Sequence, residues 1–95
     1  MKIHTSDVIC TLAGKEKGKC FFVVGTDGDY VLIADGKSKK MDNPKCKRRK
    51  HVRFKAVSNS LVAEKLREGK AVTNSELRQG LKEYTTNLGG EEGGM

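Results

Sequence analysis

Tryptophan is missing from this chain, and three Phe and two Tyr are its only aromatic residues in 95. A core must therefore come from Val, Ile, Leu, Ala and Cys. Tyr30 and Tyr84 are the aromatic candidates for an exposed position, too few to read single-stranded nucleic acid by base stacking. Long apolar runs are missing too. The longest are residues 21–24 and 30–34, far short of the ~20 residues a membrane span needs. Met1-Lys2 is followed by polar residues 4–7, not by a leader's apolar stretch. The expectation is a cytoplasmic protein with no membrane partner.

Cysteine is scarce and unpaired in pattern. Cys10, Cys20 and Cys46 are an odd number with no CxxC spacing, which favours reduced thiols acting as small apolar residues. A zinc site built from them with His4 or His51 lacks ligand spacing, so neither a metal nor a cofactor is expected. Catalytic patterns are also missing. His4 and His51 are far apart, the acids are not paired, and Ser6, Ser38, Ser58, Ser60 and Ser75 have no nucleophile context. The chain reads as no enzyme, with no small-molecule substrate, and a monomer is the simplest expectation.

What the chain does have is charge of one sign in one place. Ten of the nineteen Lys and Arg residues lie in 36–55 against one acid, Asp42, a net of +9. Residues 1–35 and 56–95 each carry −1, so the whole-chain +7 comes from that segment. Solubility alone would not concentrate charge in this way. A dense field of one sign points to a polyanionic partner, nucleic acid by default.

Ninety-five residues make one small domain, or a minimal domain with an appendage. Residues 6–13, 19–24 and 30–34 read as strands, with a short fourth at 39–41 and a fifth over 49–55. Asp27-Gly28 and Asp35-Gly36 supply turns, and Pro44 is a breaker. Five short strands joined by tight turns are antiparallel and hide their edges best as a small barrel. Residues 21–24 are apolar on both faces, so the outer face needs a cover. The last forty residues supply it. Ser60 can cap a helix over 61–68, stopped by Gly69. Thr73 and Glu76 form a capping box, with Val72 and Leu77 as its staple. Leu77, Leu81, Tyr84 and Leu88 share one helical face, and Gly80 costs that helix about 1 kcal/mol against Ala. Gly89-Gly90 should end it, leaving 89–95 disordered. The expected layout is a barrel over 1–57, a helical appendage over 58–88 and that tail.

Within 45–55 the odd positions read Lys45, Lys47, Arg49, His51, Arg53, Lys55 and the even ones Cys46, Arg48, Lys50, Val52, Phe54. Alternate strand residues share a face, so an extended segment would present one cationic face, while Val52 and Phe54 enter the core. Arg48 and Lys50 spoil the inner face, so 43–48 is expected to be loop. The run 14–19 (GKEKGK) is one residue short of a phosphate loop. Cys20 replaces its hydroxyl, and a strand follows in place of the helix that would bind phosphate.

Asp7-Val8, Gly14-x-x-Lys17-Gly18-Lys19 and Phe22-Val23-Val24 together resemble the KOW motif. The stretch 30–36 and Lys45-x-Lys47-Arg48-Arg49-Lys50-His51-Val52 are similar to the KOW barrels of archaeal and eukaryotic-type large-subunit ribosomal proteins and their small bacterial relatives. Residues 72–82 are similar to the tails of those bacterial proteins. The resemblance covers 6–55. It implies a mostly β fold, a five-stranded SH3-like barrel with a C-terminal helical appendage, and binding to structured, ribosomal RNA with ribosome association. Gly14 and Gly18 are the motif glycines, and the resemblance implies that Gly18 permits the turn. The RNA-facing positions it implies are Lys15, Lys17 and Lys19 with Lys37, Lys39, Lys40, Lys45, Lys47, Arg48, Arg49, Lys50, His51, Arg53 and Lys55. Cys20-Phe21-Phe22 is bulkier than many KOW motifs show, which suggests a covered surface there. KOW motifs also occur in transcription elongation factors. The competing readings are a DNA-binding or elongation factor of that kind, and an SH3-like adaptor for an acidic protein.

Overall fold

The computed structural model describes residues 2–12 and 17–93. Five strands form one antiparallel sheet in the order β4-β3-β2-β1-β5. They are β1 (Asp7–Thr11), β2 (Cys20–Asp27), β3 (Tyr30–Ala34), β4 (Lys45–Arg48) and β5 (Val52–Val57). Two helices follow, α1 (Leu61–Arg67) and α2 (Asn74–Gly93). No helix among the described residues is long and apolar enough to cross a membrane.

Alternation along the central strands creates two cores. Ile9, Phe21, Val23, Val31, Ile33 and Val52 point to one face of the sheet, where Ile3 and Phe54 join them. Val8, Cys20, Phe22 and Ala34 point to the other and meet Val62, Ala63, Leu66, Val72, Leu77 and Leu81. The double apolar run of β2 is thus buried on both sides, inside by sheet residues and outside by the helices. Phe21 and Phe22 are both fully buried.

β2 and β3 are joined by Gly28-Asp29, since Asp27 pairs with Tyr30. Gly28 takes φ +60° at the first central position, where a two-residue hairpin needs it. The ladder slips between Val23 and Gly25, a bulge that bends the strand. β4 and β5 are the two edges, and a 3-10 turn of three residues, Arg49–His51, joins them. Four Cα steps reach about 15 Å at most, whereas four flat strand spacings measure about 19 Å. The sheet must therefore curl. The described residues show it as an open sheet, with no ladder between β4 and β5.

Several boundaries differ from the sequence expectation. The fourth strand lies at 45–48, not 39–41, because residues 35–39 fold around the Asp35 carboxylate instead. That carboxylate accepts from the N–H groups of Lys37 and Lys39, each at 2.9 Å, and from the Ser38 hydroxyl at 3.2 Å. The segment 43–48, expected as loop, supplies β4, which pairs with β3 from Ile33–Lys45 to Tyr30–Arg48. Two charged residues on its inner side are tolerated because β4 is an edge. β5 begins only at Val52, after the 3-10 turn. Helix α2 runs through Gly89-Gly90 to Gly93, where a stop and a disordered tail were expected. Glycine weakens a helix without forbidding it, and residues 94–95 lie outside the described part.

The helix starts are local. The Ser60 hydroxyl accepts from the Ala63 N–H at 3.3 Å. The Glu76 carboxylate accepts from the Thr73 N–H at 2.9 Å, and the Thr73 hydroxyl accepts from the Glu76 N–H at 3.1 Å, which completes the capping box. Val72 and Leu77 are both buried beside it.

Candidate nucleic-acid interface

The basic segment does not form one extended cationic face. In β4, Lys45 and Lys47 lie opposite Ile33 and Val31, so the odd positions share the inner-core side. In β5 it is the even positions, Val52 and Phe54, that face this core, opposite Thr11 and Ile9. The 3-10 turn resets the alternation, and the two halves run along opposite edges of the sheet.

Arg49 is placed in the scaffold. Its Nε donates to the Gly28 carbonyl at 2.7 Å, and its Nη1 to the Ile3 carbonyl at 2.8 Å. Its own N–H donates to the Asp29 carbonyl at 2.8 Å. The Leu12 N–H donates to the His51 carbonyl at 3.1 Å. These bonds clamp the 3-10 turn between the end of β1 and the β2–β3 turn, with Lys50 and His51 exposed. Arg48 lies over the ring of Tyr30, 5.6 Å from its centroid. Tyr30 is an exposed aromatic, whereas Tyr84 packs against the helix-side core.

Cations from several segments converge around Gly18. This residue has φ +85°, a conformation that favours glycine, and its N–H donates to the Thr11 carbonyl at 2.8 Å. Two cavities share it. One, of about 470 Å³, is lined by Cys10, Leu12, Lys17, Arg53 and Lys55 among others, and no acid among the described residues lines it. The other, of about 440 Å³, is lined by Lys19, Cys20, Lys37, Arg78 and Leu81 among others, with Asp35 as the one acid among the described residues. Asp35 is occupied by its own loop. Lys17, Lys19, Lys37 and Arg53 are exposed and Lys55 is half-buried. Five of the expected positions, from three segments of the chain, therefore meet around one turn. Lys39 is half-buried and Lys40 exposed on the neighbouring 35–41 loop. Gly14 and Lys15 lie outside the described residues.

Arg78 was not among the expected positions. It stands on α2, in a part of the chain with near-neutral charge, and its Nη1 donates to the Gly36 carbonyl. That bond ties the helix to the loop that carries Lys37. The Asn74 side chain adds a second tie, accepting from the Met41 N–H at 2.7 Å. No sequence signal marked Arg78, because only packing of α2 on the sheet brings it there.

A larger cavity, about 750 Å³, is lined by Lys2, Ile3, His4, Asp29, Arg49 and Arg67 among others. Its two guanidiniums are engaged within the fold. Arg49 holds the carbonyls above, and Arg67 donates to the Ser6 hydroxyl at 3.0 Å and the Ser58 carbonyl at 3.2 Å. Among the described residues, no group of three or more His, Cys, Asp or Glu could hold a metal ion. Compared with known protein families and with curated proteins, the chain matches none.

Proposed function

We propose that this is a non-catalytic RNA-binding protein that recognises structured RNA through phosphate and shape contacts on an SH3-like barrel. The observation that carries the reading is the ring of cations around Gly18. Lys17, Arg53 and Lys55 stand on one side and Lys19, Lys37 and Arg78 on the other. Their spread over two adjoining cavities suits a folded backbone, which carries phosphates in sequence and which shape-reading proteins grip without base contacts. The curl imposed by the three-residue link between edge strands supports the barrel. The KOW resemblance of 6–55 favours ribosomal RNA as the class and the ribosome as the setting.

The test is a triple charge reversal, Lys17→Glu, Arg53→Glu and Lys55→Glu. Retention on ribosomal RNA should be lost while the circular-dichroism melt is unchanged. Undiminished retention by the folded triple variant would refute the reading. Retention that resists nuclease, but needs the same residues, would replace RNA with an acidic protein partner.

A further inference from the structure

Cys10 and Cys20 are direct partners in the β1–β2 ladder, and their sulfurs lie 3.5 Å apart. The neighbouring Thr11 N–H donates to the Lys19 carbonyl at 3.2 Å. That places Cys10 and Cys20 at a non-hydrogen-bonded position, where facing Cα atoms approach to about 4.5 Å. This separation falls within the disulfide range of about 4.4–6.8 Å, so a bridge needs side-chain rotation and no change of register. Both thiols are free in the structure. Cys10 lines the cavity shared with Lys17, Arg53 and Lys55, and Cys20 the adjoining one with Lys19, Lys37 and Arg78. Cys20 is buried and Cys10 only half-buried, so Cys10 is the more accessible sulfur.

We propose that Cys10 and Cys20 form a reactive dithiol, which a soluble anionic disulfide of the glutathione type oxidises to an intramolecular bridge. The cationic cavity draws the negatively charged disulfide to Cys10. The Cys10 sulfur, giving up its proton, bonds to one sulfur of the small disulfide. The S–S bond breaks, and the departing thiolate takes a proton. The Cys20 sulfur then attacks the Cys10 sulfur, the mixed bond breaks, and the Cys20 proton goes to the second departing thiolate. Two protein thiols are oxidised by two electrons, and one small disulfide is reduced to two thiols. Burial, followed by the hydrogen bond with Cys10, pushes the Cys20 thiol up to about 11, while Lys55 pulls it down. Cys20 is therefore protonated at neutral pH, which makes it the resolving partner and Cys10 the entry point. Cys46, exposed on edge strand β4, has no such neighbour in the ladder.

The experiment treats the Cys46→Ser chain with excess oxidised glutathione and maps it by intact mass and peptide digestion. The expected product has lost two hydrogens, carries a Cys10–Cys20 cross-link and retains no glutathione. A stable glutathione adduct on this chain, or two thiols still free when Cys46 of the unsubstituted chain is fully modified, would overturn the proposal. In the Cys20→Ser chain the adduct should be trapped on Cys10. In the Cys10→Ser chain Cys20 should stay free, and an adduct there would overturn the assigned order.

Discussion

Gly80 of α2 lies so close to the ring of Phe22 in β2 that a Cβ there would come within 2.9 Å of Cε2, and within 2.6 Å of Val62 Cγ1 on α1. Three elements meet at a point where a hydrogen is the largest substituent that fits. Phe22 is fully buried and Val62 nearly so, so neither can move aside freely. Gly80→Ala should gain about 1 kcal/mol of helix propensity, but overpacking costs about 1–3 kcal/mol. The expected outcome is a lower melting temperature despite the better helix former. Chemical denaturation of the two proteins checks it, and a stabilised variant would show that α2 rides further from the sheet.

Arg49 and Arg53 lie four residues apart with opposite assignments. Arg49→Ala would strip donors from the exposed Gly28 carbonyl, which water can satisfy, and from the carbonyl of buried Ile3, where an orphaned polar group costs about 1–3 kcal/mol. Arg53 is exposed on β5, where a substitution is worth about 0.5 kcal/mol or less. Arg49→Ala should therefore lower the melting temperature clearly, and Arg53→Ala should weaken RNA binding with the melt intact. Thermal melts and filter binding of both variants separate the two roles.

Lys19 and Lys37 each contribute a cation to the cavity shared with Arg78. For an RNA ligand, the logarithm of affinity should fall linearly with the logarithm of salt, by about 0.7–0.9 per phosphate neutralised. Replacing both lysines with Ala should flatten that slope by about 1.5 if each holds a phosphate. A salt titration of wild type and variant reads it directly. An unchanged slope would place the phosphates elsewhere on the surface.

Glu76 joins the capping box of α2 to α1. Its carboxylate is held below its ordinary value of 4.5 first by the hydrogen bond from Lys65 and then by the Thr73 N–H. A depressed carboxylate contributes stability that is full above its ordinary value and is lost as pH falls through its folded value. Glu76→Gln should therefore be less stable than wild type at neutral pH. The gap should close as the solution is acidified well below 4.5. Melts across pH 2–7 check this, and a gap independent of pH would rule out the charge as its origin.

Features set by a few adjacent residues were legible in the chain itself. The concentration of charge in 36–55 is a matter of counting. The Ser60 cap, the Thr73–Glu76 box and the Gly28 turn each need partners at most three residues away. The double apolar face of β2 followed from alternation alone, and with it the need for a cover. Long-range pairing decided the rest. Once Arg48 pairs with Tyr30 and Val52 with Thr11, the segment that looked continuous must turn at Arg49–His51 and send its charges to both edges. The fold takes Arg49 for its own carbonyls and brings Arg78 beside Lys19. It also turns Gly80 from a weak point of a helix into a close contact of α2 with both α1 and the sheet. Local propensity acts over one turn or one hairpin. Which charges end as neighbours depends on contacts between residues tens of positions apart, and only the packed sheet and helices supply those.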